Sequence, residues 1–321
     1  MSSKKLQQVI IDTDPGVDDA LAIMVAHNTP VLQVKGITTV FGNHTIEKTT
    51  KNACTILDII GVSSPVYRGA SRPLAKEAPP IANSHGETGL GGYRQSGLLR
   101  SKAATKKIEA ENAIDFLARA IVPGTHIACL GPTTNLALLA NLYPNALRQA
   151  KALIIMGGVF NQPGNTGPWA EYNVFCDPDA LAQLLNFEDV PKVLIPADVC
   201  RTVTMDEADF TKGKNQQLNK AIRDIIREYV KYYKEDLVYG GSEGGVMYDT
   251  LVIAYLLWPE LFNVEPKHVV VETGGGPARG ATAVDPKQKQ KPNCLLVTPS
   301  EQMPSGVNSG EIKERLLKLL T

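Results

Sequence analysis

Short apolar runs alternate with longer amphipathic segments along the first two thirds of the chain. The apolar runs are rich in β-branched residues and cover residues 9–11, 34–40, 126–130, 152–156 and 193–195. Segments with helical periodicity lie between them or follow them, at residues 18–27, 45–60, 112–121, 133–141 and 178–185. This alternation predicts a mostly parallel sheet with helices on both faces. Because parallel crossovers are right-handed, we expect a doubly wound, Rossmann-like α/β fold.

The last third of the chain departs from this pattern. A long charged helix is predicted at residues 215–238, then a flexible glycine-rich stretch at 240–245 and a helix at 249–258. Short strands in hairpins are predicted at residues 269–271, 281–284 and 294–297, before a final helix at 311–320. No internal repeat or low-complexity linker divides the chain. We therefore predict a single domain over residues 1–321, with short antiparallel strands in a loop-rich C-terminal part.

Charge, hydropathy and cysteine usage argue against several classes of partner. Lysine plus arginine and aspartate plus glutamate number 33 each, so no overall field attracts nucleic acid or an anionic membrane. No window approaches the roughly 18 apolar residues that span a bilayer, and the N-terminus lacks the features of a signal peptide. Five scattered cysteines without a CxxC pair indicate reduced thiols. We expect a cytoplasmic protein with neither a nucleic-acid nor a membrane partner.

Four carboxylates follow the first predicted strand within eight residues. They belong to Asp12, Asp14, Asp18 and Asp19, and we call residues 12–19 the acidic loop. In open α/β sheets the ligand site lies beyond the carboxyl ends of the strands, which is where this loop begins. Carboxylates without histidine or cysteine favour Ca²⁺ or Mg²⁺ over zinc. The sequence thus predicts a hard-cation site at this edge of the sheet.

Three other interpretations of the acidic loop compete with a cation site of this kind. An EF-hand requires glutamate at loop position twelve, and counting from Asp12 that position is Ile23. A phosphohydrolase of the haloacid dehalogenase type would use the Asp12/Asp14 pair, but it leaves Asp18 and Asp19 without a role. A solvated acidic surface is the alternative without function. The phosphohydrolase stays open as the alternative from another reaction class.

The acidic loop also carries a family resemblance. Asp-Thr-Asp-Pro-Gly-Val-Asp-Asp-Ala, at residues 12–20, resembles the signature of the inosine–uridine-preferring nucleoside hydrolases. Further segments similar to that family follow in order, at residues 36–43, 85–92, 130–136, 156–158, 164–165, 170–173 and 177–178. The resemblance covers nearly the whole chain. It implies hydrolysis of the N-glycosidic bond of purine or pyrimidine ribonucleosides, giving ribose and free base through an oxocarbenium-like transition state.

The resemblance also implies roles for individual residues. A Ca²⁺ ion would be held by the carboxylates of Asp12, Asp19 and Asp249 and by the backbone carbonyl of Thr134. Asp12 would take a proton from the metal-bound water as general base. Six side chains would bind the ribose: Asp18, Asn43, Asn173 and Asp249 at the 2′- and 3′-hydroxyls, and Asn165 and Glu171 at the 5′-hydroxyl.

The residue before Asp249 departs from the family pattern. Many members carry histidine there, whereas this chain has Tyr248. Tyrosine is protonated at pH 7, so it can donate a hydrogen bond or a proton to the departing base. His85 is the second candidate for this role. Simple packing of Tyr248 and solvation of His85 are the structural alternatives.

The resemblance further implies a small-molecule ribonucleoside as the binding partner and a homo-oligomer, either a dimer or a tetramer. A protein that binds nucleosides without turnover is the alternative outside the enzymes. The combination of Asp12, Asp19 and Asp249 argues against it, because a binding protein needs no water-activating base.

Overall fold

The computed structural model describes residues 6–81, 83–93, 107–235, 242–287 and 289–321. The strands are β1 (Gln7–Thr13), β2 (Leu32–Thr39), β3 (Val66–Arg68), β4 (His126–Cys129), β5 (Ala152–Met156), β6 (Lys192–Ile195), β7 (Thr204–Met205), β8 (Gly245–Val246), β9 (Val264–Lys267), β10 (Val269–Val271), β11 (Thr282–Val284) and β12 (Cys294–Val297). The helices are α1 (Val17–Asn28), α2 (Ile46–Ile59), α3 (Ala113–Ala120), α4 (Thr134–Leu142), α5 (Pro144–Leu147), α6 (Tyr172–Cys176), α7 (Pro178–Asn186), α8 (Ala197–Cys200), α9 (Gln216–Glu235), α10 (Thr250–Leu257) and α11 (Ser309–Leu320).

The central sheet has eight strands in the order β3-β2-β1-β4-β5-β6-β12-β9. The strands from β3 to β12 pair in parallel, and β9 runs antiparallel to β12 at one edge. The strand order reverses between β1 and β4, which leaves a crevice at the carboxyl ends of these two strands. The acidic loop leaves β1 at that crevice, so the topology itself places the carboxylates at a ligand-binding position.

Helices cover both faces of the sheet, which confirms the predicted doubly wound fold. Along β1, Val9 and Ile11 pack into one apolar core cluster and Ile10 packs into the other. The first cluster includes residues of α1, α2, α9, α10 and α11, and the second includes residues of α3, α4 and α7. A strand buried on both faces reads as a continuous apolar run, which explains why residues 9–11 lack alternation.

The C-terminal strands divide between two sheets. The hairpin of β10 and β11 is antiparallel, as predicted. β12 instead joins the central sheet, where it is parallel to β6 and antiparallel to β9. The prediction that residues 294–297 belong to a hairpin holds only for the pairing with β9, because the other partner comes from a distant part of the chain. Among the described residues, no helix is long and apolar enough to cross a membrane.

Helix α9 shows why the long charged segment is helical. Its buried residues Ile222, Ile225, Ile226 and Tyr229 recur every three or four positions and form one apolar stripe against the core. The last predicted positions of this helix, 236–238, and the start of the predicted glycine-rich stretch, 240–241, lie outside the described residues. Gly245 begins β8, which pairs with β7, so the end of that stretch is a strand.

Candidate active site

A cleft opens at the carboxyl ends of the central strands. Its walls come from the loops after these strands, from the residues just before α10 and from the helices α6 and α9. Most of the lining side chains are polar or aromatic: Asp18, Asn43, Ser84, His85, Leu130, Met156, Asn165, Glu171, Tyr172, Asn173, Tyr229, Tyr232, Tyr233, Tyr248 and Asp249. Among the site residues predicted from the sequence, only Asp12, Asp19 and Thr134 do not line this cleft, and all three are buried.

A cluster of three buried carboxylates lies beside this cleft. Each of Asp18, Asp19 and Asp249 offers an oxygen, and these atoms lie within 4.8 Å of one another. Burial, and then the charge of Asp19, raise the pKa of Asp18 to about 8. Burial also raises the pKa of Asp249 well above its ordinary value, and the charges of Asp18 and Asp19 add to this effect. Carboxylates held this close favour a cation among them, because a positive charge removes their mutual repulsion.

Asp19 is held rigidly by its neighbours in the acidic loop. Its Oδ1 accepts a hydrogen bond from the Thr13 hydroxyl, and its Oδ2 accepts one from the backbone N–H of Gly16 at 2.8 Å. The Asn43 side chain donates to the same Oδ2 at 3.1 Å. Asp19 therefore caps the start of α1 and ties it to the loop after β2. This arrangement fixes the carboxylate while leaving lone pairs free for a cation.

Asp14 occupies a close-fitting pocket between two glycines. Its Oδ2 accepts a hydrogen bond from the backbone N–H of Asn43 at 2.7 Å. A Cβ at Gly42 or at Gly131 would collide with its carboxylate oxygens. Its Oδ1 is buried and has no hydrogen-bond partner in the described part of the chain. Burial, followed by the charge of Asp19, raises the pKa of Asp14 well above its usual range, so this carboxylate is electrostatically part of the cluster.

Asp12 is buried at the end of β1, and its Oδ2 has no hydrogen-bond partner among the described residues. Its Oδ1 accepts hydrogen bonds from the Thr38 hydroxyl at 2.5 Å and from the Asn135 amide at 2.7 Å. Successive residues of a strand point to opposite faces, so Asp12 shares the face of Ile10 rather than that of Ile11. Burial raises the pKa of Asp12 to about 6, and these two hydrogen bonds offset part of the rise. The structure brings Asp18, Asp19 and Asp249 together without Asp12.

Polar side chains at the start of α6 form the opposite wall of the cleft. Glu171 is buried, and its carboxylate accepts hydrogen bonds from the backbone N–H groups of Asn173, Val174 and Gly158 at 2.9, 3.2 and 3.3 Å. Burial raises its pKa to about 7, and these hydrogen bonds oppose that rise. The Asn173 amide donates to the Leu130 carbonyl at 2.6 Å, which leaves its oxygen available to a ligand hydroxyl.

Asn165 and Thr134 are positioned by neighbouring turns. Asn165 accepts a hydrogen bond from the Tyr172 N–H at 2.7 Å through its side-chain oxygen, and it also bonds to Glu171. The Thr134 hydroxyl donates to Asp177 at 2.7 Å, at the first residue of α4. The hydroxyl of Thr134 is therefore used within the protein, and the role predicted for Thr134 involves its backbone carbonyl instead.

His85 is buried rather than solvated. Its Nδ1 accepts a hydrogen bond from the Val17 N–H at 3.1 Å and lies 4.0 Å from Asp18 Oδ1. An acceptor at Nδ1 requires the proton of the neutral ring to be on Nε2. Burial lowers the pKa of His85 to about 4. His85 therefore enters the cleft as a neutral imidazole that can donate a hydrogen bond from Nε2.

A group of tyrosines also lines the cleft. Tyr229 and Tyr233 come from α9, with ring centroids 4.8 Å apart, and Tyr233 lies 6.3 Å from Tyr248. Tyr233 and Tyr248 are also hydrogen-bonded to each other. The ring of His85 lies 5.3 Å from that of Tyr229. No functional role was predicted for helix α9, and the spacing of Tyr229 and Tyr233 by one turn was the available signal.

The donor set of this site fits a hard divalent cation. The carboxylates of Asp14, Asp18, Asp19 and Asp249 are buried, and they include two oxygens, Asp14 Oδ1 and Asp18 Oδ1, without hydrogen-bond partners among the described residues. All available donors are oxygens, which is the ligand type that Ca²⁺ and Mg²⁺ prefer. The residues present can thus bind a metal ion of this class.

Comparison with known proteins gives a family match over most of the chain. The model of the family described as inosine-uridine preferring nucleoside hydrolase matches residues 9–302. A non-specific ribonucleoside hydrolase, RihC, of Klebsiella pneumoniae is 36% identical over 280 residues, which cover 86% of this chain and 88% of that protein. A pyrimidine-specific ribonucleoside hydrolase, RihA, of Citrobacter koseri is 33% identical over 280 residues, covering 86% of this chain and 88% of that protein.

Solved structures with the same fold also match. A purine-preferring ribonucleoside hydrolase from Gardnerella vaginalis superimposes with a TM-score of 0.86 at 26% identity, covering 98% of each chain. The similarity therefore extends over the central sheet, the helices on both of its faces and the C-terminal part.

Proposed function

The chain belongs to the inosine-uridine preferring nucleoside hydrolase family and is an N-ribosyl hydrolase, and we propose that it works with Ca²⁺. Its substrates are small-molecule ribonucleosides, which it splits into ribose and free base. The observation that carries this function is the cleft itself. Its lining combines buried carboxylates, side chains that can bind hydroxyl groups, and aromatic rings. The phosphohydrolase and the non-catalytic binder are not favoured by the family match.

We propose that the cation is held by Asp14, Asp19 and Asp249 and by the carbonyl of Thr134. Asp14 replaces Asp12 in this set, because its charge adds to that of Asp19 and Asp249 whereas Asp12 is bonded to Thr38 and Asn135. When bound, the ion makes a water molecule more acidic and orients the ribose diol. Asp14 Oδ1, buried and without a hydrogen-bond partner in the described chain, is the proposed acceptor of the proton from the attacking water.

The proposed ribose contacts follow from what each side chain leaves available. Asp18 and Asp249 line the cleft and accept hydrogen bonds from the 2′- and 3′-hydroxyls. Asn43 and Asn173 complete that side. Glu171 and Asn165, bonded to each other, bind the 5′-hydroxyl. A site with so many buried hydroxyl partners selects against deoxynucleosides, since a missing hydroxyl leaves these groups unpaired. Negative carboxylates beside C1′ also stabilise the positive charge that develops on the sugar.

The base is proposed to lie against the tyrosines and His85. Tyr248 and the Nε2–H of His85 are hydrogen-bond donors on residues that line this cleft. With its pKa lowered to about 4, His85 is a donor of a hydrogen bond and not a source of a proton at neutral pH. We therefore assign support of the departing base to Tyr248, with His85 as a neutral partner. The relatives are named as non-specific, pyrimidine-specific and purine-preferring, so family membership alone leaves the base preference open.

Cellular compartment, oligomeric state and domain organisation complete the proposal. All five cysteines are buried and free, which suits a reducing compartment such as the cytoplasm. A homo-oligomer, either a dimer or a tetramer, is proposed from the family resemblance. A single domain over residues 1–321 is proposed because the eight-stranded sheet recruits strands from both the N-terminal and the C-terminal parts of the chain.

A reducing-sugar assay tests the central proposal. The purified protein is incubated with inosine, adenosine, guanosine, uridine, cytidine and xanthosine, with Ca²⁺ or with a chelator. We expect ribose from at least one nucleoside with Ca²⁺, and little ribose with the chelator. Parallel measurement of phosphate release from nucleotides tests the phosphohydrolase alternative. No ribose from any nucleoside in the presence of Ca²⁺ contradicts the proposal.

A further inference from the structure

A single buried amide joins two loops of the site. Asn52 on α2 donates from its side-chain nitrogen to the Pro15 carbonyl at 3.0 Å and to the Thr88 carbonyl at 2.9 Å. Pro15 belongs to the acidic loop. Thr88 belongs to residues 83–93, which we call the His85 loop. Asn52 is only 5% exposed, so water does not compete freely for these two carbonyls.

The preceding turn of α2 contacts the His85 loop but not the acidic loop. Lys48 lies one turn before Asn52 and donates to the Glu87 carbonyl at 2.7 Å, and His44 bonds to the same carbonyl at 2.9 Å. These contacts fasten the outer part of the His85 loop to α2. Asn52, by contrast, donates one hydrogen bond to the backbone of each of the two loops.

Close packing at the junction makes the position of His85 sensitive to this amide. Gly89 has a positive φ of 85°, and a Cβ there would lie 2.6 Å from the Asn52 side-chain nitrogen. A Cβ at Gly16 would lie 2.5 Å from His85 Nδ1. The imidazole is thus pressed against the backbone of the acidic loop, where the Val17 N–H reaches it at 3.1 Å. A small change in the separation of the two loops would break that contact.

We propose that Asn52 is a positioning residue, which sets the separation of the acidic loop and the His85 loop and thereby holds His85 over the substrate. The proposal rests on the proposed function, in which His85 faces the departing base. Loss of the amide leaves two shielded carbonyls without donors, and the loops separate to let water reach them. The imidazole then loses the hydrogen bond that it accepts from the Val17 N–H, whereas other contacts still hold the carboxylates of the site.

The test compares Asn52→Leu with Thr55→Val, a matched control on the same helix. Thr55 is buried and donates only to the Lys51 carbonyl within α2, so its replacement perturbs the helix without touching either loop. Hydrogen exchange is measured first, because it does not depend on activity. We expect faster exchange in both residues 83–93 and the Val17 amide for Asn52→Leu, and wild-type exchange there for Thr55→Val. Unchanged exchange in Asn52→Leu overturns the proposal.

Kinetics then test whether the effect passes through His85. On natural nucleosides, kcat of Asn52→Leu is expected to fall about 10- to 100-fold, in the range typical of a misplaced catalytic contact. p-Nitrophenyl riboside, whose leaving group departs without assistance, is expected to keep most of its rate. In a His85→Ala background, Asn52→Leu should cause little further loss. The proposal is contradicted if the losses of kcat caused by Asn52→Leu and His85→Ala multiply in the double variant. It is also contradicted if Asn52→Leu lowers kcat equally on natural nucleosides and on p-nitrophenyl riboside.

Two outcomes separate the proposal from the proposed function. Wild-type protein that releases ribose, with exchange and kinetics of Asn52→Leu unchanged, refutes only the role of Asn52. Wild-type protein that releases no ribose refutes the proposed function, while the exchange experiment still decides whether Asn52 holds the two loops together. If Asn52→Leu does not fold, Asn52→Ser, which is smaller and keeps one donor, replaces it with the same expectations.

Discussion

At the scale of the residue, two aspartates of one motif have different environments. Asp12 and Asp14 are two positions apart, but Asp12 is still inside β1 whereas Asp14 follows its last residue. The strand directs Asp12 towards Thr38 and Asn135, and the turn directs Asp14 between Gly42 and Gly131. The sequence placed the acidic group at the correct edge of the sheet. It could not assign the two aspartates, because that depends on where the strand ends.

Substitution of each aspartate by asparagine distinguishes their roles. Asp14→Asn is expected to lower kcat by about 10²- to 10⁴-fold, the usual effect of removing a general base. Asp12→Asn keeps an oxygen that accepts from Thr38, and it should stay within about 10-fold of the wild-type rate, a loss of about 1.4 kcal/mol in transition-state stabilisation. The measurement is ribose release at saturating Ca²⁺. A severe loss of kcat in Asp12→Asn with a mild loss in Asp14→Asn would assign the role of general base to Asp12.

Tyr248 offers a second test at this scale. Its hydroxyl is bonded to Tyr233, and its ring lies in the wall of the cleft. Removal of the hydroxyl in Tyr248→Phe keeps the packing but removes the donor, so natural nucleosides should react about 10- to 100-fold more slowly. p-Nitrophenyl riboside should be spared. Tyr232→Phe, a more exposed tyrosine of the same cleft, is the matched control. Equal rates of Tyr248→Phe and wild type on inosine and uridine would assign Tyr248 to packing alone.

At the scale of the element, strands that carry an apolar run were predictable and strands without one were not. β1, β2, β4, β5 and β6 coincide with apolar runs of the sequence, and their parallel order follows from the alternation with helices. β3, β7, β8 and β9 are short and contain no run of three apolar residues, so no pattern marks them in the sequence. The sheet also recruits β12 through contacts with β6 that no local pattern encodes.

The contribution of α9 to the cleft could not be predicted from the sequence for a related reason. Its helical period is clear from the sequence, and Tyr229 and Tyr233 fall on its buried side. Tyrosines in an apolar stripe are usually packing residues, so the sequence alone gave no reason to place them in a site. They meet the acidic loop only because α9 packs against α1, far from it along the chain. This wall of the cleft therefore depends on the tertiary contact between α9 and α1, which no local sequence pattern shows.

The turn between β4 and α4 is expected to control Asp14 without touching the substrate. Gly131 has no positive φ in the structure, so its backbone accepts an alanine, but a Cβ there would press on the Asp14 carboxylate. Gly131→Ala should displace that carboxylate and lower kcat by about 10²-fold, the size expected for a displacement of roughly 1 Å. Gly310→Ala, in open space on α11, is the control and should keep wild-type activity. Wild-type kcat in Gly131→Ala would show that Asp14 is not confined in this way.

At the scale of the whole molecule, stability and function meet in the carboxylate cluster. The core clusters on the two faces of the sheet fix β1 and α1, and with them every group of the acidic loop. The protein therefore holds several buried carboxylates close together, at a cost to its stability, whenever no cation is bound. Such a site makes the stability of the fold depend on both the cation and the pH.

The dependence on pH should reverse between the metal-free and the calcium-loaded protein. Without metal, Asp18 has a pKa of about 8, raised by burial and by Asp19 from its ordinary value of 3.8. The folded state then binds protons more tightly than the unfolded chain, so stability is highest below about pH 4 for this group and falls as the pH rises towards 8. With Ca²⁺, protons compete with the ion, and stabilisation by the ion should grow over the same interval.

Thermal unfolding at pH 5.5 and pH 8, each with a chelator and with Ca²⁺, measures this reversal. At a Ca²⁺ concentration 100 times its Kd, the ion adds about 2.7 kcal/mol, which corresponds to a rise in Tm of roughly 4 °C at pH 8. At pH 5.5 the rise should be much smaller. Asp14→Asn removes one of the repelling charges, so we expect it to raise the Tm of the chelated protein at pH 8 while weakening the response to Ca²⁺. An equal Ca²⁺ response at both pH values, or a lower Tm of chelated Asp14→Asn, would contradict a cation site built from these carboxylates.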